Sequence, residues 1–324
     1  METMTGPIFF HRGKRVFVAG HRGLAGAALV RRLLREDCDL LTAPSSELDL
    51  RRQADVETWF ARSRPQVVYL AAATAGGIQA NYERPADFIY NNLAIQEAVI
   101  QSAYRFGVEK LCFLGSSCIY PRLAPQPMTE DALLTGPLDE HNKWYAVAKI
   151  AGLMLVDAYA KQHGCDFIAV MPANLYGPGD KFTPENSHVV AALIDRVHRA
   201  KQEGGKEITI WGTGNARREF LHCDDMADAC VHLMNHYSSP EIVNVGTGED
   251  ITITHLARMI CDVIGFPGEL VHDASKPDGT PRKVVSIERL RSLGWSPRIS
   301  FRDGLAETYR WYLKNIAPSY PGYP

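Results

Sequence analysis

Residues 14–26, KRVFVAGHRGLAG, constrain this chain more than any other segment. An apolar run ending in glycine, KRVFVAG (14–20), passes directly into a helical pattern from about Leu24 to Arg35, with Gly20, Gly23 and Gly26 at the junction. Gly-x-x-Gly-x-x-Gly spacing permits a tight strand-to-helix turn and close approach of backbone to a pyrophosphate. It also seats the helix on the turn, with phosphate over the helix N-terminus. The segment predicts the opening of a dinucleotide-binding βαβ unit.

The alternation continues. Strand DLLTA (39–43), a helix over about 52–63, strand QVVYLAA (66–72), a helix around 86–106, strand KLCFLGS (110–116), a helix over 144–162 and strand DFIAVMPAN (166–174) follow. These strands lack the strict alternation of a half-exposed sheet, so both faces must be covered. The fold class is α/β, a doubly wound parallel sheet. Beyond Asn174 the regularity breaks. LYGPGDKFTPENSH (175–188) reads as a loop, while a helix (189–203), strands EITIWG (207–212) and IVNVG (242–246) and a helix (252–264) read as a smaller, interleaved α/β unit. The expected boundaries are 1–175 and about 215–245 for the nucleotide-binding domain, about 176–214 and 247–314 for a substrate-binding domain, and 315–324 for a frayed tail. The first thirteen residues read as a variable leader.

Acidic and basic residues are interspersed and the formal net charge is -2, which offers neither an extended basic footprint for nucleic acid nor a polybasic membrane patch. No run reaches the roughly 20 apolar residues that span a bilayer, and the N-terminal stretch lacks a secretory core, so the expected location is the cytoplasm. Seven cysteines are scattered singly, without Cys-x-x-Cys pairs or metal-ligand spacing. That pattern fits reduced thiols and no metal site.

Three motifs carry chemistry. After the second strand the chain reads Ala43-Pro44-Ser45-Ser46, with no carboxylate to grip a ribose diol. This permits a 2'-phosphate, held by Arg22 and the two serines, and favours NADP over NAD. In WYAVAK, Tyr145 and Lys149 stand four apart on one helical face. A phenol with a pKa near 10 becomes useful at neutral pH when a cation stabilises its phenolate. Ser116, at the end of a central strand, supplies a hydrogen bond to the same carbonyl oxygen. Cys118 and His188 are open on the residues alone. The first reads more readily as a buried core thiol, the second as a helix-start or surface histidine.

From Arg15 to about Lys314 the chain resembles the extended short-chain dehydrogenase/reductase family and, within it, the GDP-L-fucose synthase family. The resemblance rests on GHRGLAG, YLAAATAGGIQAN, FLGSSCIYP, YAVAKIAG, MPANLYGP, NSHVV, WGTG, REFLHCDD, NVGTG and DASKPDGTPRK. It implies a Rossmann fold and a reaction in which GDP-4-keto-6-deoxy-D-mannose is epimerised at C3 and C5, then reduced at C4 with NADPH. It implies Ser116, Tyr145 and Lys149 at the ketone, Cys118 as the base and His188 as the proton donor. Contacts to the cofactor would come from Gly20, Arg22, Gly23, Leu24, Gly26, Ser45, Ser46, Ala72, Leu114, Gly115, Lys149, Pro172, Asn174, Leu175 and His188. Contacts to the GDP-sugar would come from Arg196, Trp211, Arg218, Asp278 and Lys283, and the chain would be a homodimer. His222, Asp224 and Asp225 in HCDD read as fixing interdomain backbone rather than binding metal. One departure stands out: family members often carry an arginine where this chain has APSS. The competing readings are a reductase or epimerase for another 4-keto-6-deoxy nucleotide sugar, a 4-epimerase without need of Cys118 and His188, and a nucleotide-binding protein without turnover.

Overall fold

The computed structural model describes residues 6–183, 187–275 and 280–319. Strand β1 (Arg15–Ala19), helix α1 (Leu24–Leu33), β2 (Asp39–Leu41), α2 (Gln53–Ser63), β3 (Val67–Leu70), α3 (Ile78–Glu83), α4 (Pro85–Arg105), β4 (Lys110–Leu114), α5 (Lys143–His163) and β5 (Phe167–Pro172) form the first half. They are followed by β6 (Asn174–Tyr176), α6 (Val189–Gln202), β7 (Glu207–Trp211), β8 (Arg217–Arg218), β9 (Phe220–His222), α7 (Cys223–His236) and β10 (Val243–Val245). The last elements are β11 (Ile251–Thr252), α8 (Ile253–Ile264), β12 (Glu269–Asp273), β13 (Arg282–Lys283), α9 (Glu288–Ser292) and α10 (Phe301–Asn315).

The main sheet runs β10-β5-β4-β3-β1-β2, with every pairing parallel. After β2 the chain crosses back over β1 to β3, so strand order reverses between β1 and β3 and opens a crevice beyond their C-terminal ends. The continuous apolar runs have the expected consequence: β3, β4 and β5 are buried along their whole length. The smaller unit is built on β7 and β12, paired in parallel and packed against α6 and α8. EITIW alternates buried and exposed residues because helices cover only one face there. Its own core gathers Ile194, Val197, Ile208, Ile210, Leu256, Ile260 and Leu305.

Four expectations need correction. The leader is tied down: Ile8 and Phe9 donate backbone hydrogen bonds to the Asn235 carbonyl, and buried His11 meets the Tyr69 hydroxyl at 2.6 Å. The strand expected over 166–174 ends at Pro172, and Asn174–Tyr176 pairs separately with β9 in the segment read as a loop. Val285, Ile287, Leu290 and Trp295 pack in the larger core, within a stretch assigned to the smaller unit. The tail begins late, since Ala317 is fully buried.

Helix α5, which carries Tyr145 and Lys149, lies close against β4 because residue 152 is glycine. A Cβ there would stand 2.7 Å from the Gln96 side-chain oxygen and collide with the fully buried Phe113 ring. Alanine gains about 1 kcal/mol of helix propensity, whereas overpacking costs about 1–3 kcal/mol. Gly152→Ala is expected to lower the urea midpoint. A raised midpoint would mean that Phe113 and Gln96 yield.

Candidate active site

The crevice between β1 and β3 is shaped by missing side chains. Gly20 has φ +89°, and a Cβ on it would lie 2.7 Å from both the Cα and the amide nitrogen of Ala72, just beyond β3. The Gly23 amide donates to the Gly20 carbonyl at 3.0 Å, and a Cβ on Gly26 would strike that same carbonyl. Helix α1 thus begins directly on the turn. No side chain caps its N-terminus and no acid stands in its first turn, so its amides and dipole are set for an anion. This cradle fits a dinucleotide pyrophosphate.

Arg22 is exposed beside this turn, and Ser45 and Ser46 are exposed in the turn after the neighbouring strand β2. The nearest following acid, Glu47, is engaged by Arg62 at 3.1 Å. Leu114 and Gly115 close β4, and Pro172 closes β5, at the same end of the sheet. Asn174 donates to the Glu219 carbonyl at 2.8 Å, and Leu175 stands beside Leu221 in the β6–β9 pair.

On the far side of the crevice, Ser116 caps a short 3-10 turn over Ser117–Ile119 by accepting the Cys118 amide at 3.2 Å. That cap fixes the Cys118 backbone four residues beyond the end of β4, where the strand expected to reach Ser116 stops at Leu114. The Tyr145 phenol is raised above its ordinary pKa by burial and by Cys118, against a lowering hydrogen bond with Ser116. Serine, thiol and phenol therefore converge. Lys149 donates to the Leu114 carbonyl at 2.7 Å, with its nitrogen 5.8 Å from the Tyr145 ring centre. Burial pushes its ammonium down to about 7.

His188 is the N-cap residue of α6, exposed to solvent but with its imidazole pKa lowered by burial and then by Lys181. The loop after β3 abuts this segment, since a Cβ on Gly77 would lie 2.9 Å from the Ser187 carbonyl. Two buried asparagines hold that loop, and the sequence reading missed them. Asn92 bonds both the amide and the carbonyl of Thr74 at 2.9 Å, and Asn81 donates to the Gly76 and Gly77 carbonyls at 3.2 and 3.1 Å.

The expected substrate contacts fall into two places. Arg218 and Lys283 are register partners on β8 and β13, and the Lys283 ammonium reaches the Cys118 sulfur at 3.5 Å. Arg218 donates to the carbonyls of Arg217 and Thr280 at 2.8 and 2.5 Å, while the Thr280 hydroxyl donates to Asp139 at 2.8 Å. Arg196 and Trp211 instead gather around β7: the arginine donates to the Thr209 carbonyl at 2.8 Å, and the indole is largely exposed. Asp278 lies outside the described residues.

Glu219 also escaped the sequence reading. Its buried carboxylate accepts the amides of Thr247, Gly248 and Val285 at 2.6, 2.8 and 2.8 Å. In the HCDD segment, Asp225 accepts the Arg298 and Ile299 amides at 3.1 and 2.9 Å. His222, Cys223 and Asp224 form a compact group, but Arg31 already donates to the Cys223 sulfur at 3.5 Å and to Asp224 at 2.5 Å.

The depressed Lys149 pKa makes a stability prediction. Between about 7 and the ordinary lysine value near 10.4, the unfolded chain binds more protons at this residue, so folding stability rises with pH across that window. Below about 7 both states are charged and the burial penalty is complete. Removing the amine by Lys149→Met should flatten this part of the unfolding free-energy curve. Parallel curves for the two proteins between pH 7 and 10 would contradict it.

Comparison with known proteins places this geometry. The profile of the NAD dependent epimerase/dehydratase family matches residues 16–246. GDP-L-fucose synthase 1 of Arabidopsis thaliana is 56% identical over 94% of this chain and 95% of its own. The GDP-L-fucose synthase of Escherichia coli (strain K12) is 50% identical over 93% and 97%. The crystal structure of a GDP-L-fucose synthetase from Naegleria fowleri bound to NADP superposes with a TM-score of 0.88 at 30% identity, covering 97% of this chain and 98% of that one. The chain belongs to the NAD dependent epimerase/dehydratase family, in its GDP-L-fucose synthase group.

Proposed function

We propose that this protein converts GDP-4-keto-6-deoxy-D-mannose to GDP-L-fucose, epimerising C3 and C5 before reducing C4 with NADPH. The observation that carries the reading is the placement of Cys118, its amide held by the Ser116 hydroxyl and its sulfur within electrostatic reach of Tyr145, beside a dinucleotide crevice. Ketone reduction needs the serine, phenol and lysine. A thiol at the same place is needed only when a neighbouring carbon must give up a proton.

The C4 ketone makes the protons on C3 and C5 acidic. Cys118 removes such a proton, the C–H electron pair moves into the carbonyl as an enolate, and His188 returns a proton to the opposite face. Ser116 and Tyr145 hydrogen-bond the oxygen that carries the enolate charge. Epimerisation must precede reduction, because the neighbours of an alcohol carbon are no longer acidic. NADPH, when bound, supplies the hydride that reduces C4. Gly20, Gly23, Leu24 and Gly26 would hold its pyrophosphate, Arg22, Ser45 and Ser46 its 2'-phosphate, and Ala72, Leu114, Gly115, Pro172, Asn174, Leu175 and His188 the remainder of the crevice. Tyr145 then gives its proton to the C4 oxygen while Lys149 stabilises the phenolate left behind. Arg218, Lys283, Arg196, Trp211 and Asp278 would receive the GDP-sugar. Seven free cysteines suit a reducing compartment, in keeping with the cytoplasm. Among the described residues, no helix is long and apolar enough to cross a membrane.

The direct test incubates the protein with the 4-keto sugar in deuterated water, with NADPH or NADH, and reads the products by NMR. Deuterium at C3 and C5 of GDP-L-fucose, formed faster with NADPH, is expected. Cys118→Ser and His188→Asn should each lower incorporation at least tenfold. Reduction without incorporation would overturn the epimerase roles, and faster turnover with NADH would overturn the assignment of Arg22 and the serines.

A second copy of the chain is the proposed partner. Tyr90 and Tyr104 on α4 and Val147 and Met154 on α5 leave apolar surface exposed on two helices that pack together. Light scattering at micromolar concentration should give a two-chain mass, and a one-chain mass would count against it.

A further inference from the structure

Lys283 stands nearer to the thiol than a residue that only receives the nucleotide would require. Its ammonium donates to the Cys118 sulfur at 3.5 Å, and no carboxylate among the described residues pairs with it. The placement is fixed through the backbone. The Glu219 amide donates to the Lys283 carbonyl at 3.2 Å, and the Glu219 carboxylate accepts the Val285 amide at 2.8 Å, so Lys283 is clamped on both sides. The same carboxylate accepts the Thr247 and Gly248 amides at 2.6 and 2.8 Å, which anchors the clamp to the turn after β10.

The register partner Arg218 adds a second cation. It donates hydrogen bonds to two neutral carbonyls and interacts electrostatically with Cys118. The titratable and charged groups facing the sulfur are therefore Lys283 from β13, Arg218 from β8 and Tyr145 from α5, with Asp139 beside Arg218 and tied to Thr280.

We propose that Lys283 is a positioning residue that keeps Cys118 as the thiolate, so the base is already ionised when the keto sugar arrives. This rests on the reading that Cys118 takes a proton from carbon. In that step the thiolate sulfur gains the proton, the C–H bond breaks, its electrons become the enolate, and Lys283 keeps all of its own protons. An ammonium held against sulfur favours the charged form by Coulomb attraction and by donating a hydrogen bond.

The test reads the ionisation without any sugar. Iodoacetamide alkylates thiolates, forming a sulfur–carbon bond with loss of iodide, and fragment-ion mass spectrometry of the 111–122 peptide assigns the label to Cys118 apart from Cys112 on the same peptide. The rate should be measured across pH for the wild type, Lys283→Met and Lys283→Arg. In Lys283→Met the half-maximal rate should move up by about one pH unit or more, and Lys283→Arg should restore most of the loss. An unchanged profile in Lys283→Met would overturn the proposal. In deuterated water without NADPH, exchange at C3 and C5 by Lys283→Met should fall near neutrality and recover at high pH. A loss equal at every pH, with a raised KM, would mean that Lys283 only binds substrate and would overturn the proposal as well. A shifted alkylation profile in a protein whose wild type makes no deuterated sugar would support the ion pair while removing the reaction proposed for it.

Discussion

The architecture depends on one contact between backbones, where the turn after β1 meets the chain leaving β3. Gly20, at φ +89°, lies so close to Ala72 that a methyl group would stand 2.7 Å from its Cα. Gly26 brings the first turn of α1 onto the Gly20 carbonyl. This contact falls where strand order reverses, so the closest approach in the sheet and the mouth of the crevice are one place. A side chain at either glycine would lift helix or loop, and with it the dipole end that faces an anion. The parallel sheet supplies the register. The glycines decide that the crevice can be lined by peptide groups.

A second dependence joins the two units. Glu219 lies between Arg218 and Phe220, at the passage from the small sheet β11-β8-β13 to the β6–β9 pair. Burial raises its pKa, and the backbone amides it accepts oppose that rise. A carboxyl taking hydrogen bonds from residues 247, 248 and 285 ties two distant stretches to one point. The first follows β10, which is packed in the larger core, and the second contains Val285, packed in that core as well, and leads directly to Lys283. The cations near the thiol are thereby set by the main domain although they stand on the edge of the smaller one.

How much of this could be read from residues alone follows from the range of the forces. Gly20, Gly23 and Gly26 announced their turn because a local backbone requirement writes a local pattern. Burial on both faces showed directly in the continuous apolar runs QVVYLAA and KLCFLGS. Helix α10 went unread, although Ser300 caps it by accepting the Asp303 amide at 3.2 Å, because FRDGLAETYRWYLKN spreads its apolar residues between charges. The leader misled for a related reason: buried His11 bonds to Tyr69, which is 58 residues away in sequence. Tyr145 and Lys149 share a helix face and could be paired from spacing. Their convergence with Ser116 and Cys118, and that of Lys283 with the sulfur, is long-range and leaves no spacing to read. Resemblance named those residues, and the fold supplies a physical reason for their proximity.

The electrostatics of the four groups also bear on the order of steps in the proposed reaction. Burial holds Tyr145 as a neutral phenol and favours a neutral Lys149, so each is costly to ionise alone. A phenolate and an ammonium formed together offset part of that cost by mutual attraction. Negative charge on Cys118 raises Tyr145 further, which keeps the phenolic proton in place while the thiolate is waiting. Once the sulfur has taken a proton from carbon, that charge has moved to the substrate oxygen, where the phenol can meet it. The thiol's own protonation thus removes a restraint on Tyr145 at the moment when a proton donor to oxygen is first needed. The same coupling opposes premature loss of the phenolic proton before the carbon chemistry has begun.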